Sequence, residues 1–70
     1  MNLKYLRREK GMTQDQLSKA SGVSRITIAR IEATGRISTL RVITMLAKAL
    51  GCEINDLIDD AEDTTNEKSA

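Results

Sequence analysis

The chain has 70 residues, which is enough for one small domain. It contains one tyrosine, no other aromatic residue and one cysteine, so the core must be aliphatic and an internal disulfide is excluded. No apolar run is long enough for a membrane span and no signal peptide opens the chain, which predicts a cytoplasmic protein without membrane contact. Histidine is absent and the lone thiol has no evident base, so we expect no enzyme, no cofactor and no metal site.

The net charge of +1 conceals two segments of opposite sign. Residues 1–50 contain ten Lys and Arg against three acidic residues, whereas residues 51–70 contain seven acidic residues and one Lys. A basic body with an acidic tail is typical of a polyanion-binding surface. Solvated charges that segregated by chance are the alternative interpretation.

The first predicted helix has Asn2 as its N-cap and runs to about Lys10, where Gly11 ends it. Leu3 and Leu6 are its inward residues. The next segment, QDQLSKASGVSRITIARIEA, is the most informative part of the chain.

This segment is predicted to form two helices, residues 14–20 and 25–32, joined by a turn at residues 21–23. Thr13 and Gln16 have the spacing of a capping box, and Ser24 is a good N-cap for the second helix. Gly22 suits a turn residue with positive φ. The residues expected to face inward are Leu17, Val23, Ile28 and Ile31.

A connection over residues 33–38 precedes a fourth helix, which Ser38 or Thr39 caps and Gly51 ends. Its predicted apolar stripe comprises Leu40, Ile43, Leu46, Ala47 and Leu50. A shorter fifth helix is expected from about 54 to 61. We therefore predict one domain over residues 1–61 and a disordered acidic tail over residues 62–70. Cys52 is expected to be a small buried apolar residue.

The pair of helices at residues 14–32 predicts a helix-turn-helix. An ordinary helical hairpin would use the same caps and apolar spacing without any nucleic acid. That alternative does not explain the outer face of the second helix, which carries Arg25, Ile26 and Arg30. In the major groove, arginine can bind guanine and an apolar side chain can contact a thymine methyl group. The sequence therefore favours double-stranded DNA as the partner.

The segments LRREKGMTQDQLSKASGVSRITIARIE and TLRVITMLAKALGCEINDLI resemble the lambda-repressor and Cro-like (Xre-type) helix-turn-helix family. The resemblance covers about residues 2–60 and implies a compact five-helix DNA-binding domain of a transcriptional repressor. It further implies base contacts, phosphate contacts and a structural ion pair. The implied base contacts are Ser24, Arg25, Ile26 and Arg30, the phosphate contacts are Gln14, Arg36, Thr39 and Arg41, and the ion pair is Arg7 with Glu32.

One short recognition helix reads few base pairs, so we expect a homodimer, at least on DNA. Val42, Met45 and Ala49 form a second apolar line on the fourth helix, and they are the candidate dimer or partner surface. The alternative is that a neighbouring helix covers them. If they are exposed, the chain is alternatively an antitoxin-like or co-regulator module with a protein partner.

Overall fold

The computed structural model describes residues 2–36 and 39–58. In these residues every regular element is helical: α1 (Leu3–Glu9), α2 (Gln14–Ser21), α3 (Arg25–Thr34) and α4 (Leu40–Leu50). A fifth helical segment, α5, occupies residues 54–58. The predicted all-α, five-helix class is confirmed. The tail predicted at 62–70, the end of the predicted fifth helix and Ser38 lie outside the described residues.

Helix α1 begins after Asn2, as predicted, but the Asn2 side chain makes no capping hydrogen bond. Its Nδ2 donates instead to the carbonyl oxygen of Asp56 at 2.9 Å, and its backbone N–H donates to the carbonyl oxygen of Leu57 at 2.8 Å. The predicted side-chain cap is therefore wrong, because a partner 54 residues along the chain binds the amide. We call these two bonds the α1–α5 clasp.

Helices α2 and α3 are joined by a tight turn whose start and end follow from the local sequence. The capping box is formed: the Gln16 N–H donates to Thr13 Oγ1 at 3.0 Å, and the Thr13 N–H donates to Gln16 Oε1 at 2.8 Å. Gly22 ends α2 with φ of 82°, a left-handed conformation that strains other residues. A Cβ at Gly22 would lie 3.4 Å from Cε of Met45, so the turn packs close to α4.

Helix α3 begins as predicted, because Ser24 Oγ accepts a hydrogen bond from the Thr27 N–H at 3.1 Å. It was expected to end near Glu32 but continues for two more residues, to Thr34. Gly35 then ends the helix with φ of 73°. Glycine has no Cβ and adopts this left-handed conformation easily, so the position of Gly35 determines where the helix ends.

Thr39 is the N-cap of helix α4, because its Oγ1 accepts from the Val42 N–H at 3.2 Å, and Gly51 follows the last residue of the helix. The predicted inward stripe is correct except at its first member. Leu40 is 71% exposed, so its expected place in the core is wrong. It occupies the first turn of α4, where none of the described residues covers it.

The core is one aliphatic cluster shared by all five helical segments. Its buried members are Leu3, Leu17, Val23, Ile28, Ile31, Ile43, Leu46, Ala47, Leu50 and Leu57. Helix α2 packs against both α3 and α4, and α1 packs against α3. Cys52 is half-buried against the cluster, and burial raises the pKa of its thiol. Among the described helices, none combines the length and apolarity that a bilayer crossing requires.

Candidate nucleic-acid interface

Helix α3 has one buried face and one exposed face. Ile28 and Ile31 are buried, at 0% and 3% exposure, and they fix the helix against the core. Arg25 and Arg30 are exposed, and Ile26 is 70% exposed. The side chains of both arginines form no hydrogen bond or ion pair with residues 2–36 or 39–58. The exposed face therefore offers two cationic donors and one apolar side chain to a partner.

Ser24 lies at the start of the same face, but its hydroxyl group is already engaged. It accepts from the Thr27 N–H and donates to Thr27 Oγ1 at 3.0 Å. One lone pair remains to accept a hydrogen bond from an external donor. The contribution of Ser24 to any base contact is therefore limited to that acceptor.

The structure brings together Arg7 of α1 and Glu32 of α3. Arg7 Nε donates to Glu32 Oε2 at 2.7 Å, and Arg7 Nη2 donates to Glu32 Oε1 at 3.1 Å. The side chains are only 10% and 5% exposed. Arg7 Nη1 also donates to the carbonyl oxygen of Met12 at 2.7 Å. The guanidinium of this α1 residue therefore contacts both α3 and the loop between α1 and α2.

This environment keeps Glu32 ionised. Burial alone would raise the pKa of its carboxyl group. The hydrogen bonds from Arg7 and Gln14 and the charge of Arg7 outweigh burial, and they hold the pKa below its usual range. The hydrogen bond with Glu32 correspondingly raises the pKa of Arg7. Arg7 and Glu32 therefore form an ion pair that joins α1 to the last turn of α3.

Gln14 is the first residue of α2 and is half-buried. Its Nε2 donates to Glu32 Oε1 at 3.1 Å, which ties the start of α2 to the ion pair. An open cleft lies at this end of α2, in front of α3. Its lining residues are Arg7, Met12, Thr13, Gln14, Asp15 and Arg25. Arg25 and the N-terminal end of α2 favour an anion in this cleft, whereas Glu32 neutralises the charge of Arg7, and Asp15 is acidic.

The other residues expected near the DNA backbone are exposed around the start of α4. Arg36, Thr39 and Arg41 all have exposed side chains. The backbone N–H of Arg36, the second residue after α3, donates to Thr34 Oγ1 at 3.1 Å. The Thr39 hydroxyl oxygen accepts the capping bond of α4 and keeps its proton for another acceptor.

The apolar line of α4, Val42, Met45 and Ala49, is neither fully covered nor fully exposed. All three side chains are half-buried and pack against the core cluster. Met45 approaches the turn between α2 and α3 at Gly22. The residual exposed area of this line is what remains for a dimer or partner contact.

Sequence reasoning missed the contact between Gln14 and Glu32. The Arg7–Glu32 pair and a phosphate contact by Gln14 were predicted separately, without a bond between Gln14 and the pair. The link forms because the side-chain amide of Gln14, the first residue of α2, lies within hydrogen-bond distance of the Glu32 carboxylate in the last turn of α3. Long-range proximity of this kind leaves no periodic signal in the sequence.

Two helices joined by a glycine turn, the second with a buried apolar face and an exposed basic face, define a helix-turn-helix DNA-binding domain. The family model described as Helix-turn-helix matches residues 3–57. The chain belongs to this helix-turn-helix family, and the resemblance to lambda-repressor and Cro-like members is confirmed.

Among the curated relatives is an uncharacterized HTH-type transcriptional regulator of Sinorhizobium fredii, 35% identical over 63 residues, covering 90% of this chain and 82% of the relative. Another uncharacterized HTH-type transcriptional regulator, from Methanocaldococcus jannaschii, is 40% identical over 55 residues, covering 79% and 83%. The competence pilus inhibition repressor of Acinetobacter baylyi is 31% identical over 65 residues, covering 93% of this chain but 59% of the relative. No solved structure matches the chain significantly. The protein is a DNA-binding transcriptional regulator.

Proposed function

We propose that this protein is a transcriptional repressor that reads operator bases in the major groove with α3. The observation that carries the proposal is the contrast along α3 between Ile28, which is fully buried, and Ile26, which is 70% exposed between flanking arginines. An exposed isoleucine adds nothing to the core. Beside Arg25 it is suited to a thymine methyl group next to a guanine edge.

Phosphate contacts would fix the register of α3 in the groove without reading sequence. The candidates flank α3 in the sequence: Gln14 at the start of α2, and Arg36, Thr39 and Arg41 around the start of α4. We expect them to bind the DNA backbone on the two sides of the groove that α3 enters. Repression would follow from occlusion of a promoter, and the Acinetobacter relative is named as a repressor.

The functional unit on DNA is proposed to be a two-fold dimer. Two copies on one face of the duplex would place half-sites about 34 to 36 Å apart, which is one helical turn. The partly exposed line Val42, Met45 and Ala49 is the proposed contact between copies. A footprint with a single unrepeated half-site at saturation would contradict the dimer.

The test begins with selection of bound sequences from random duplex DNA. With the selected operator, Arg25→Ala and Arg30→Ala should each lower specific affinity by about 1 to 3 kcal/mol. Ile26→Ser should change the preference at one thymine. Lys48→Ala is the matched control, because it removes one exposed positive charge from the last turn of α4. Wild-type affinity and preference in all three α3 variants would contradict base reading by α3.

Salt dependence separates DNA binding from a protein-interaction role. With Z phosphate contacts, the slope of log K against log salt is about −0.9Z. Variants of Arg36 and Arg41 should each reduce the slope by about one unit, while leaving the selected sequence unchanged. A slope near zero for the wild type would favour the antitoxin-like or co-regulator alternative.

A further inference from the structure

Three side chains from three helices form one hydrogen-bonded chain behind the cleft. Arg7 binds Glu32 through two hydrogen bonds, and Glu32 Oε1 in turn accepts from Gln14 Nε2 at 3.1 Å. Glu32 is almost completely buried, at 5% side-chain exposure, whereas Gln14 is half-buried and lines the cleft. Glu32 is therefore held in place by Arg7, and the Gln14 end of the chain lies at the open cleft.

We infer that Glu32 is a positioning residue for DNA binding, which holds the Gln14 side-chain amide so that an N–H group faces the phosphate. The inference rests on the proposed function, in which Gln14 contacts the DNA backbone. Glu32 itself touches no DNA in this arrangement. It acts through Gln14.

The chemistry of a carboxylate makes this orientation one-sided. An ionised carboxylate only accepts hydrogen bonds, so it can bind the Nε2 end of the Gln14 amide but not the Oε1 end. Nε2 carries two hydrogens, and the bond to Glu32 uses one of them. The other remains for an acceptor in the cleft. Without the carboxylate the amide could rotate and present its oxygen to the phosphate, which is repulsive.

A negative group behind a phosphate site would ordinarily weaken binding. Here the guanidinium of Arg7 lies 2.7 Å from Glu32 Oε2 and neutralises it. Only three of the five N–H groups of Arg7 are used in the bonds to Glu32 and to the Met12 carbonyl oxygen. The bridge therefore orients Gln14 without adding a net negative charge at the cleft.

The experiment is a double-mutant cycle on the selected operator with Gln14→Ala, Glu32→Gln and the double variant. Gln14→Ala is expected to weaken binding by about ten- to a hundredfold, the range for one hydrogen bond to a charged group. Glu32→Gln should also weaken binding, by up to the same factor, because an amide at position 32 can donate as well as accept and no longer selects the Nε2 end of the Gln14 amide. The double variant should bind no more weakly than Gln14→Ala, because Glu32 acts only through Gln14.

A phosphate-specific measurement distinguishes positioning from general loss of structure. Neutral methylphosphonates are placed one at a time along the operator. In each half-site, one methylphosphonate should lower the affinity of the wild type. The same methylphosphonate should leave the affinity of Gln14→Ala and of Glu32→Gln unchanged. Equal losses from Glu32→Gln in the presence and absence of Gln14, or an unchanged methylphosphonate profile, would overturn the inference.

Glu32→Gln leaves Arg7 without its counter-charge, and this variant can fail to fold. The variant Arg7→Met/Glu32→Gln then replaces it, since no unpaired charge remains, and its effect must again vanish when Gln14 is alanine. Failure of the wild type to bind any duplex would contradict the proposed function itself. Operator binding that depends on Arg25 and Arg30 but not on Gln14 would contradict only the positioning role.

Discussion

Replacing Arg7 by methionine should destabilise the fold far more than replacing an exposed arginine. The change removes both hydrogen bonds to Glu32 and leaves a carboxylate at 5% exposure with Gln14 as its remaining partner. Removing one partner of a buried ion pair costs about 3 to 5 kcal/mol, because the other charge stays buried and uncompensated. Total stabilities are about 0.05 to 0.15 kcal/mol per residue, so a 70-residue chain can lose most of its stability.

The variant Arg7→Met/Glu32→Met separates the unpaired charge from the lost contacts. It should be more stable than Arg7→Met, because no buried charge remains. It should still lose about 1 kcal/mol relative to the wild type, since the Met12 carbonyl oxygen loses its donor. Urea denaturation followed by far-ultraviolet circular dichroism gives the free energies of unfolding. The reasoning is refuted if Arg7→Met lies within 1 kcal/mol of the wild type, or if the double variant is the less stable one.

Two further predictions concern stability. Because the pKa of Glu32 is lowered in the folded state, its contribution is fully present above the ordinary glutamate pKa of about 4.3 and is lost as the pH falls through the lower folded value. Urea denaturation from about pH 7 to about pH 3 should show this loss of stability in the wild type and a smaller loss in Arg7→Met/Glu32→Met, which has no carboxylate at position 32. Identical pH profiles for the two proteins would contradict this prediction. Leu46→Ala, at 0% exposure, should cost about 2 to 5 kcal/mol, whereas Leu40→Ala, at 71% exposure, should change stability by less than about 1 kcal/mol. Equal thermal midpoints for the two leucine variants would contradict the corrected position of Leu40.

The sequence predicts this fold well where the controlling interaction is local. The caps at Thr13 and Ser24 each join residues three apart, so local spacing predicted them. For α4 the spacing left Ser38 and Thr39 as alternatives, and Thr39 makes the capping bond. Gly22 was likewise predicted correctly as a turn residue with positive φ, and Gly51 as the residue that ends α4. Local rules of this kind are independent of how the helices later pack.

The errors arose where a tertiary neighbour decides the outcome. Asn2 has the sequence context of a cap, but its amide binds Asp56 instead. Leu40 has the correct helical spacing for the core, but a side chain on the apolar face is buried only if another helix packs over it. In the candidate interface, the exposed side chains of α3 followed from the periodicity. The bond between Gln14 and Glu32 did not, because it depends on the distance between two helices.

The α1–α5 clasp has a consequence for the order of folding. It joins Asn2 to Asp56 and Leu57, which are 54 and 55 positions away in the sequence. Helices α2 and α3, by contrast, are neighbours both in the sequence and in space. Closing so long a loop costs more chain entropy than forming the adjacent helix pair, so the clasp is expected to close late. Conversely, we expect it to be the first contact to open in a partial unfolding event. Hydrogen exchange should therefore be faster at the amide of Asn2 than at the amides of α3 that pack against the core.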